Sequence, residues 1–205
     1  STYSTEPSPE AMVDGLGERF EVIQTNIKKW TVGSPIQAPL DCIEVLQRDN
    51  DLSRENIKHI KLHLSDMESP VVDDRHMADI CIQHMVALMI LDGTVTFASA
   101  HDEVRMTDPP VIEFRKKIEL VGEKDIPRRN AIVEVTLANG DILAHKQVAV
   151  RGTPDNPMTR QEVDNKAFEL MAPILGHSNT RSLIDKVWEI EVIDNVQELR
   201  PLMVA

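Results

Sequence analysis

Aromatic side chains are nearly missing from this chain. Phe, Trp and Tyr make up 3% of its 205 residues, so the core must rest on Leu, Ile, Val, Met and Ala. The nine methionines suit irregular helix packing. Cysteine is also scarce. Cys42 and Cys81 form no CxxC pair and no Cys/His cluster with zinc spacing. Both fall in predicted helices among apolar neighbours, and they read as buried free thiols in a reducing, cytoplasmic compartment. No apolar run approaches the roughly 18 residues of a membrane-spanning helix, and no secretory signal is visible. Positive charge is short as well. The net charge of −12 excludes a broad phosphate-binding surface for nucleic acid. A small anion is not excluded, because its binding depends on local charge.

What is present is ordinary for a globular chain: 41% hydrophobic and 27% charged residues, and enough length for one large domain or two small ones. Residues 1–10 read as a flexible lead-in. Ala11 to Gly17 suggests a short helix, and Phe20 to Gln24 a weak strand. Ile36, Leu40, Ile43, Val45 and Leu46 predict a helix from Pro35 to about Gln47. Ile60, Leu62 and Leu64 alternate with His59, Lys61 and His63, which predicts a half-buried strand over Asn56 to Leu64. His59 and His63 then sit well apart on one strand face, too far for a metal pair. His76, His145 and His177, like these two, read as surface residues.

The spacing of Met77, Ile80, Cys81, His84, Met85, Leu88 and Leu91 predicts one long helix from Asp73 to Leu91, with Gly93 at its end. Thr94 to Phe97 suggests a brief extended piece, followed by a short helix carrying His101. Asp108 and two prolines open another helix. Ala131 to Ala138 and Asp141 to Val150 flank Asn139-Gly140, a hairpin signal. After Gly152 a turn-rich linker leads to Thr159 and Glu162, a capping box that opens a helix to Leu175. Gly176 stops that helix, despite the awkward Pro173, and a last helix spans Asn179 to Ile193. This order fits an α+β sheet-and-helix sandwich better than a doubly wound sheet.

The segment from Asn26 to Asp41 is the most informative. Lys28, Lys29 and Trp30 stand just ahead of a Gly33-Ser34-Pro35 helix start, an arrangement suited to holding an anion. Four stretches in order extend the signal: Ile27 to Trp30, Met77 to Gly93, the hairpin at Ala138 to Asp141, and Gly152 to Thr159 with Glu162 and Lys166 beyond. Together they resemble the C-terminal half of the 2-methylcitrate dehydratase family, also called MmgE/PrpD.

The resemblance implies a two-layer α+β lid over residues 28–151, behind a connecting segment of 1–27. Residues 152–205 would hold a linker and helices that pack on an all-helical domain or separate helical subunit. Because that domain is about half of a usual family chain, the chain is expected to be a fragment or one subunit of a split enzyme. The family's reactions on small di- and tricarboxylates include dehydration of 2-methylcitrate, decarboxylation of cis-aconitate and epimerisation of iminodisuccinate. They imply no metal or other cofactor, and often a homodimer.

By the same resemblance, Lys28 takes the position of a lid lysine that grips substrate. Lys29, Gly33, Ser34, Gln37, His101 and Arg151 are further substrate-binding candidates. Many members carry a histidine where Gly33 or Ser34 stands here, so the proton donor can differ. His84 stands where the family often has a tyrosine and is the second catalytic candidate, although a histidine on an apolar helix face also reads as a core residue. A small-anion-binding or regulatory module without catalysis, or a purely structural dimerisation half, remains the alternative.

Overall fold

The computed structural model describes residues 5–204. Four strands form one mixed sheet in the order β2-β1-β3-β4. β1 is Ile57–Ser65, β2 Ile118–Glu123, β3 Ala131–Leu137 and β4 Ile142–Gln147. β1 runs parallel to β2 and antiparallel to β3, and β4 closes the meander against β3. The domain is α+β, and helices cover one face of the sheet.

The alternation in β1 decides which side that is. Ile60, Leu62 and Leu64 are buried, and Val133 and Val135 of β3 pair across from them. Helix α1 (Gln37–Asp49) packs across β3 and β4 with Leu40, Ile43 and Leu46 buried. Between β1 and β2 the chain makes a helical crossover: α2 (Ser69–Val72), α3 (Ile82–Asp92), α4 (Phe97–Ala100) and α5 (Pro109–Arg115). Helix α3 is buried over nine consecutive residues, from Ile82 to Ile90, and packs on α1, α5 and β2. A helix hydrophobic all round belongs inside, and this one is the centre of the core. The other sheet face is polar: His63 lies between Glu123 and Glu134, and His59 pairs with Glu119. His63 is therefore more enclosed than a surface residue, its side chain only 15% exposed.

Several expectations hold. Gly93 ends α3 in the left-handed region (φ 77°). Thr159 and Glu162 form the reciprocal capping box at the start of α6 (Arg160–Trp188). That helix breaks at Gly176 (φ 76°, ψ 160°), where the sequence signals a stop. The β3–β4 hairpin turns through Ala138, Asn139 and Gly140, with Leu137 donating to the Asp141 carbonyl at 2.8 Å. Both cysteines are free and buried, and burial pushes the Cys42 thiol up to about 12.

Other expectations are corrected. The long helix does not begin at Asp73. Residues 73–81 form a loop with one short 3-10 turn, because Gln83 gathers it inward: its amide donates to Asp73 at 2.6 Å and accepts from the Asp74 N–H at 2.9 Å. Arg115 also binds Asp74, which sits at φ 41°. The segment from Phe20 to Gln24 is no strand but an exposed 3-10 turn over Glu21–Gln24. The expected helix near Ala11 is a 3-10 turn at Glu10–Met12 followed by turns. Thr94 to Phe97 joins no sheet, and Thr96 caps α4 instead. β2, over Ile118–Glu123, is a strand that the sequence pattern does not announce. No helix among the described residues is long and apolar enough to cross a membrane.

Candidate functional site

The segment ahead of α1 has little regular structure, so its backbone polar groups must find partners elsewhere. They do. Ile27 donates its N–H to the Gly152 carbonyl at 2.9 Å, and Gly33 donates to the Asp79 carbonyl at 2.8 Å. Between them the buried Gln37 amide spans the loop. It accepts from the Trp30 N–H at 3.2 Å and donates to the carbonyls of Trp30 (2.8 Å) and Val32 (3.2 Å). Trp30 itself is buried and gives its indole N–H to Asp41 at 2.9 Å. The second Asp41 oxygen accepts the Arg151 N–H at 2.8 Å. Burial raises the Asp41 pKa, and these two donors oppose the rise. One buried carboxylate thus ties the loop to the end of the hairpin.

On this frame the two lysines diverge. Lys29 turns back to the helix, with both Glu44 oxygens at 2.5 and 2.6 Å and its ammonium 4.7 Å from the Trp30 ring centre. Lys28 is exposed and donates to the Val32 carbonyl at 3.1 Å. Among the described residues it has no carboxylate partner. Lys28 lines a cavity of about 200 Å³ with Ser34, Gln37, Arg129, Val150, Arg151 and Thr153. Four residues singled out from the sequence are brought together there: Lys28, Ser34, Gln37 and Arg151. The Gln37 amide, however, is committed to the loop backbone. The Arg151 guanidinium is likewise held by Glu162 and, at 2.7 Å, by Asn156. The Arg151–Glu162 pair brings the Glu162 carboxyl down to about 2.

A larger depression of about 320 Å³ lies on the other side of Arg151, lined by Lys29, Arg48, Asp41, Glu44 and Glu162. Its cations are already matched: Lys29 and Arg48 with Glu44, and Arg151 with Glu162. A ligand carboxylate entering it would meet three protein carboxylates. The smaller cavity is the better anion site on charge alone, despite its size.

The remaining candidates sit apart. Gly33 does not line the small cavity and packs near Ile80 and the Asp79 carbonyl. His101 is exposed at the end of α4, bonded to the Phe97 carbonyl at 2.8 Å and 4.0 Å from Asp79. Asp79 links it toward Gly33, whose N–H the Asp79 carbonyl accepts. His84 is fully buried in α3, and neither ring nitrogen has a hydrogen-bond partner among the described residues. Burial, with Arg115 and Arg105 nearby, lowers its pKa to about 4. It does not reach either depression.

Three further residues shape this region and are not evident as site residues from sequence. Arg129 arrives on the β2–β3 connection, which cannot be placed once β2 is missed. Asp41 left a signal: it stands four residues after Gln37, so two polar residues share the buried face of α1. Lys166 of α6 donates to the Lys29 carbonyl at 3.2 Å. Its pKa is lowered by burial and also by the charge of Lys28.

A family model described as the MmgE/PrpD C-terminal domain matches residues 30–190. The chain belongs to the MmgE/PrpD family. Among curated relatives, the mouse cis-aconitate decarboxylase is 24% identical over 156 residues, which is 73% of this chain and 32% of the relative. The human cis-aconitate decarboxylase is 26% identical over 159 residues, or 74% of this chain and 33% of the relative. The chain therefore spans about a third of the length of these MmgE/PrpD relatives.

Proposed function

We propose that this chain is the cation-bearing lid of a cofactor-independent lyase acting on a small di- or tricarboxylate. One observation carries the reading. Lys28 lines a small cavity, on a loop fixed at Ile27, Trp30 and Gly33, and no carboxylate among the described residues neutralises it. MmgE/PrpD membership supports it, as do relatives named for decarboxylating cis-aconitate.

In this reading Lys28 binds a substrate carboxylate and stabilises the negative charge that builds up when a proton or carbon dioxide leaves the adjacent carbon. Ser34 donates or accepts a neutral hydrogen bond at the same rim. Gln37, Asp41 and Arg151 hold the loop and the linker so that Lys28 keeps its position. His84, buried in α3 and outside the cavity lining, takes no step.

The proton-abstracting base comes from a helical companion, either a further domain or a separate subunit. Exposed apolar residues at both ends of the chain offer a surface for it: Leu16, Phe20, Val22 and Ile23 near the start, and Ile174, Ile190, Val192 and Val196 in the last third. Screening the assembled enzyme against 2-methylcitrate, citrate, cis-aconitate and iminodisuccinate tests the class. Turnover of one of these without added metal or cofactor is expected. Stoichiometric binding of such an acid with no turnover would instead favour an anion-binding module.

A further inference from the structure

We infer that Arg129 is a second carboxylate-binding residue of the Lys28 cavity, and that buried Glu68 positions it. The inference rests on the reading of that cavity as a polycarboxylate site. Arg129 adopts φ 65°, in the left-handed region that favours glycine and is uncommon for a residue with a long side chain. Among the described residues only one other non-glycine, Asp74, has positive φ. A turn that merely had to enter β3 would be served at less cost by Gly or Asn.

The conformation is locked from inside the protein. Glu68 is 3% exposed, and one of its oxygens accepts the Arg129 N–H at 2.8 Å. The other lies 3.5 Å from the Arg128 guanidinium. Of two adjacent arginines, one is paired with the buried carboxylate. The other has no ion pair among the described residues and lines the cavity with Lys28. Strain held in place by a buried charge is a pattern of binding sites more than of simple turns.

The chemistry of the two cations then selects the ligand. A lysine ammonium is a compact point charge, whereas a guanidinium grips a carboxylate with two parallel N–H donors. Cations brought to one small cavity from different segments match an acid with at least two carboxylates. A monocarboxylate can satisfy only one of them. Arg129 thus contributes discrimination between acids by charge number, beyond the anchoring by Lys28.

Titration of the chain with citrate and with acetate at constant ionic strength, followed by amide chemical shifts, tests this. Arg129→Gln should weaken citrate about tenfold or more while changing acetate by less than about twofold, the size expected for one lost charge-assisted contact. Arg129→Gly should weaken citrate equally, with a melting temperature at or above that of the parent, which separates lost binding from lost folding. Lys28→Ala should weaken both acids. Citrate affinity unchanged in Arg129→Gln but reduced in Lys28→Ala would overturn the role of Arg129 and leave the cavity reading standing. Equal weakening of citrate and acetate by Arg129→Gln would overturn the discrimination. No citrate binding by the parent chain, or none lost in either variant, would overturn the cavity reading and this inference with it.

Discussion

Ile27 donates its backbone N–H to the carbonyl of Gly152, and Gly152 in turn leaves no room for a side chain. A β-carbon there would be driven into the Ile27 carbonyl oxygen, and the φ of 94° already favours glycine. The start of the Lys28 loop is thus laid directly on the residue that ends the hairpin segment.

Gly152→Ala should therefore be costly, by about 3 kcal/mol or more, since neither partner is a flexible side-chain end. Gly93→Ala is the control. Gly93 has a similar φ of 77° but open space around it, so only the backbone cost of about 1 to 2 kcal/mol is expected. Denaturant melts of the two variants measure the difference. Equal losses would mean that the close approach to Ile27 contributes nothing.

His84 makes stability depend on pH. Its folded pKa of about 4 lies below the ordinary value of 6.5, so between these values the unfolded chain binds more protons than the folded one. Stability must then rise with pH across that window and fall on acidification from 6.5 toward 4. The full effect is up to about 3 kcal/mol. His84→Leu should flatten this slope and change stability at neutral pH by less than about 1.5 kcal/mol, since two unpaired nitrogens are removed at similar volume. An unaltered slope would assign the acid sensitivity to other groups.

Glu162 acts in a lower window and with the same sign. Its carboxyl is held near 2 by Arg151, against an ordinary 4.5. The stability it contributes is present above about 4.5 and is lost as pH falls toward 2. Glu162→Gln should remove that low-pH transition and loosen the linker at residues 152–159. Hydrogen exchange of the Gly152 and Thr153 amides reports it, with faster exchange in the variant expected.

Much of this was legible in local pattern. β1 shows in Ile60, Leu62 and Leu64, the hairpin in Asn139-Gly140, and the start of α6 in Thr159 and Glu162. Each is a signal carried within a few residues. β2 was not legible, because Ile118–Glu123 mixes Glu119, Gly122 and Glu123 into a short edge strand that exists only through pairing with β1 some 55 to 60 residues away. At residues 73–81 local periodicity misleads for a related reason. Met77, Ile80 and Cys81 keep helical spacing, yet Gln83 and Arg115 hold Asp73 and Asp74 in a fold that no local periodicity encodes. The site divides in the same way. Lys28, Ser34 and Gln37 lie within ten residues of one another and could be named together, whereas Arg129 joins them only through the sheet.

The decisive comparison is the turnover of a small polycarboxylate by the assembled enzyme carrying Lys28→Ala or Lys29→Ala. Neighbours in sequence, the two lysines differ in setting: one faces the small cavity, the other is paired with Glu44. A loss of about tenfold or more in kcat/KM for Lys28→Ala, with Lys29→Ala within about threefold of the parent, is the expected result. Full activity in Lys28→Ala would contradict the assignment of the cavity as the substrate site.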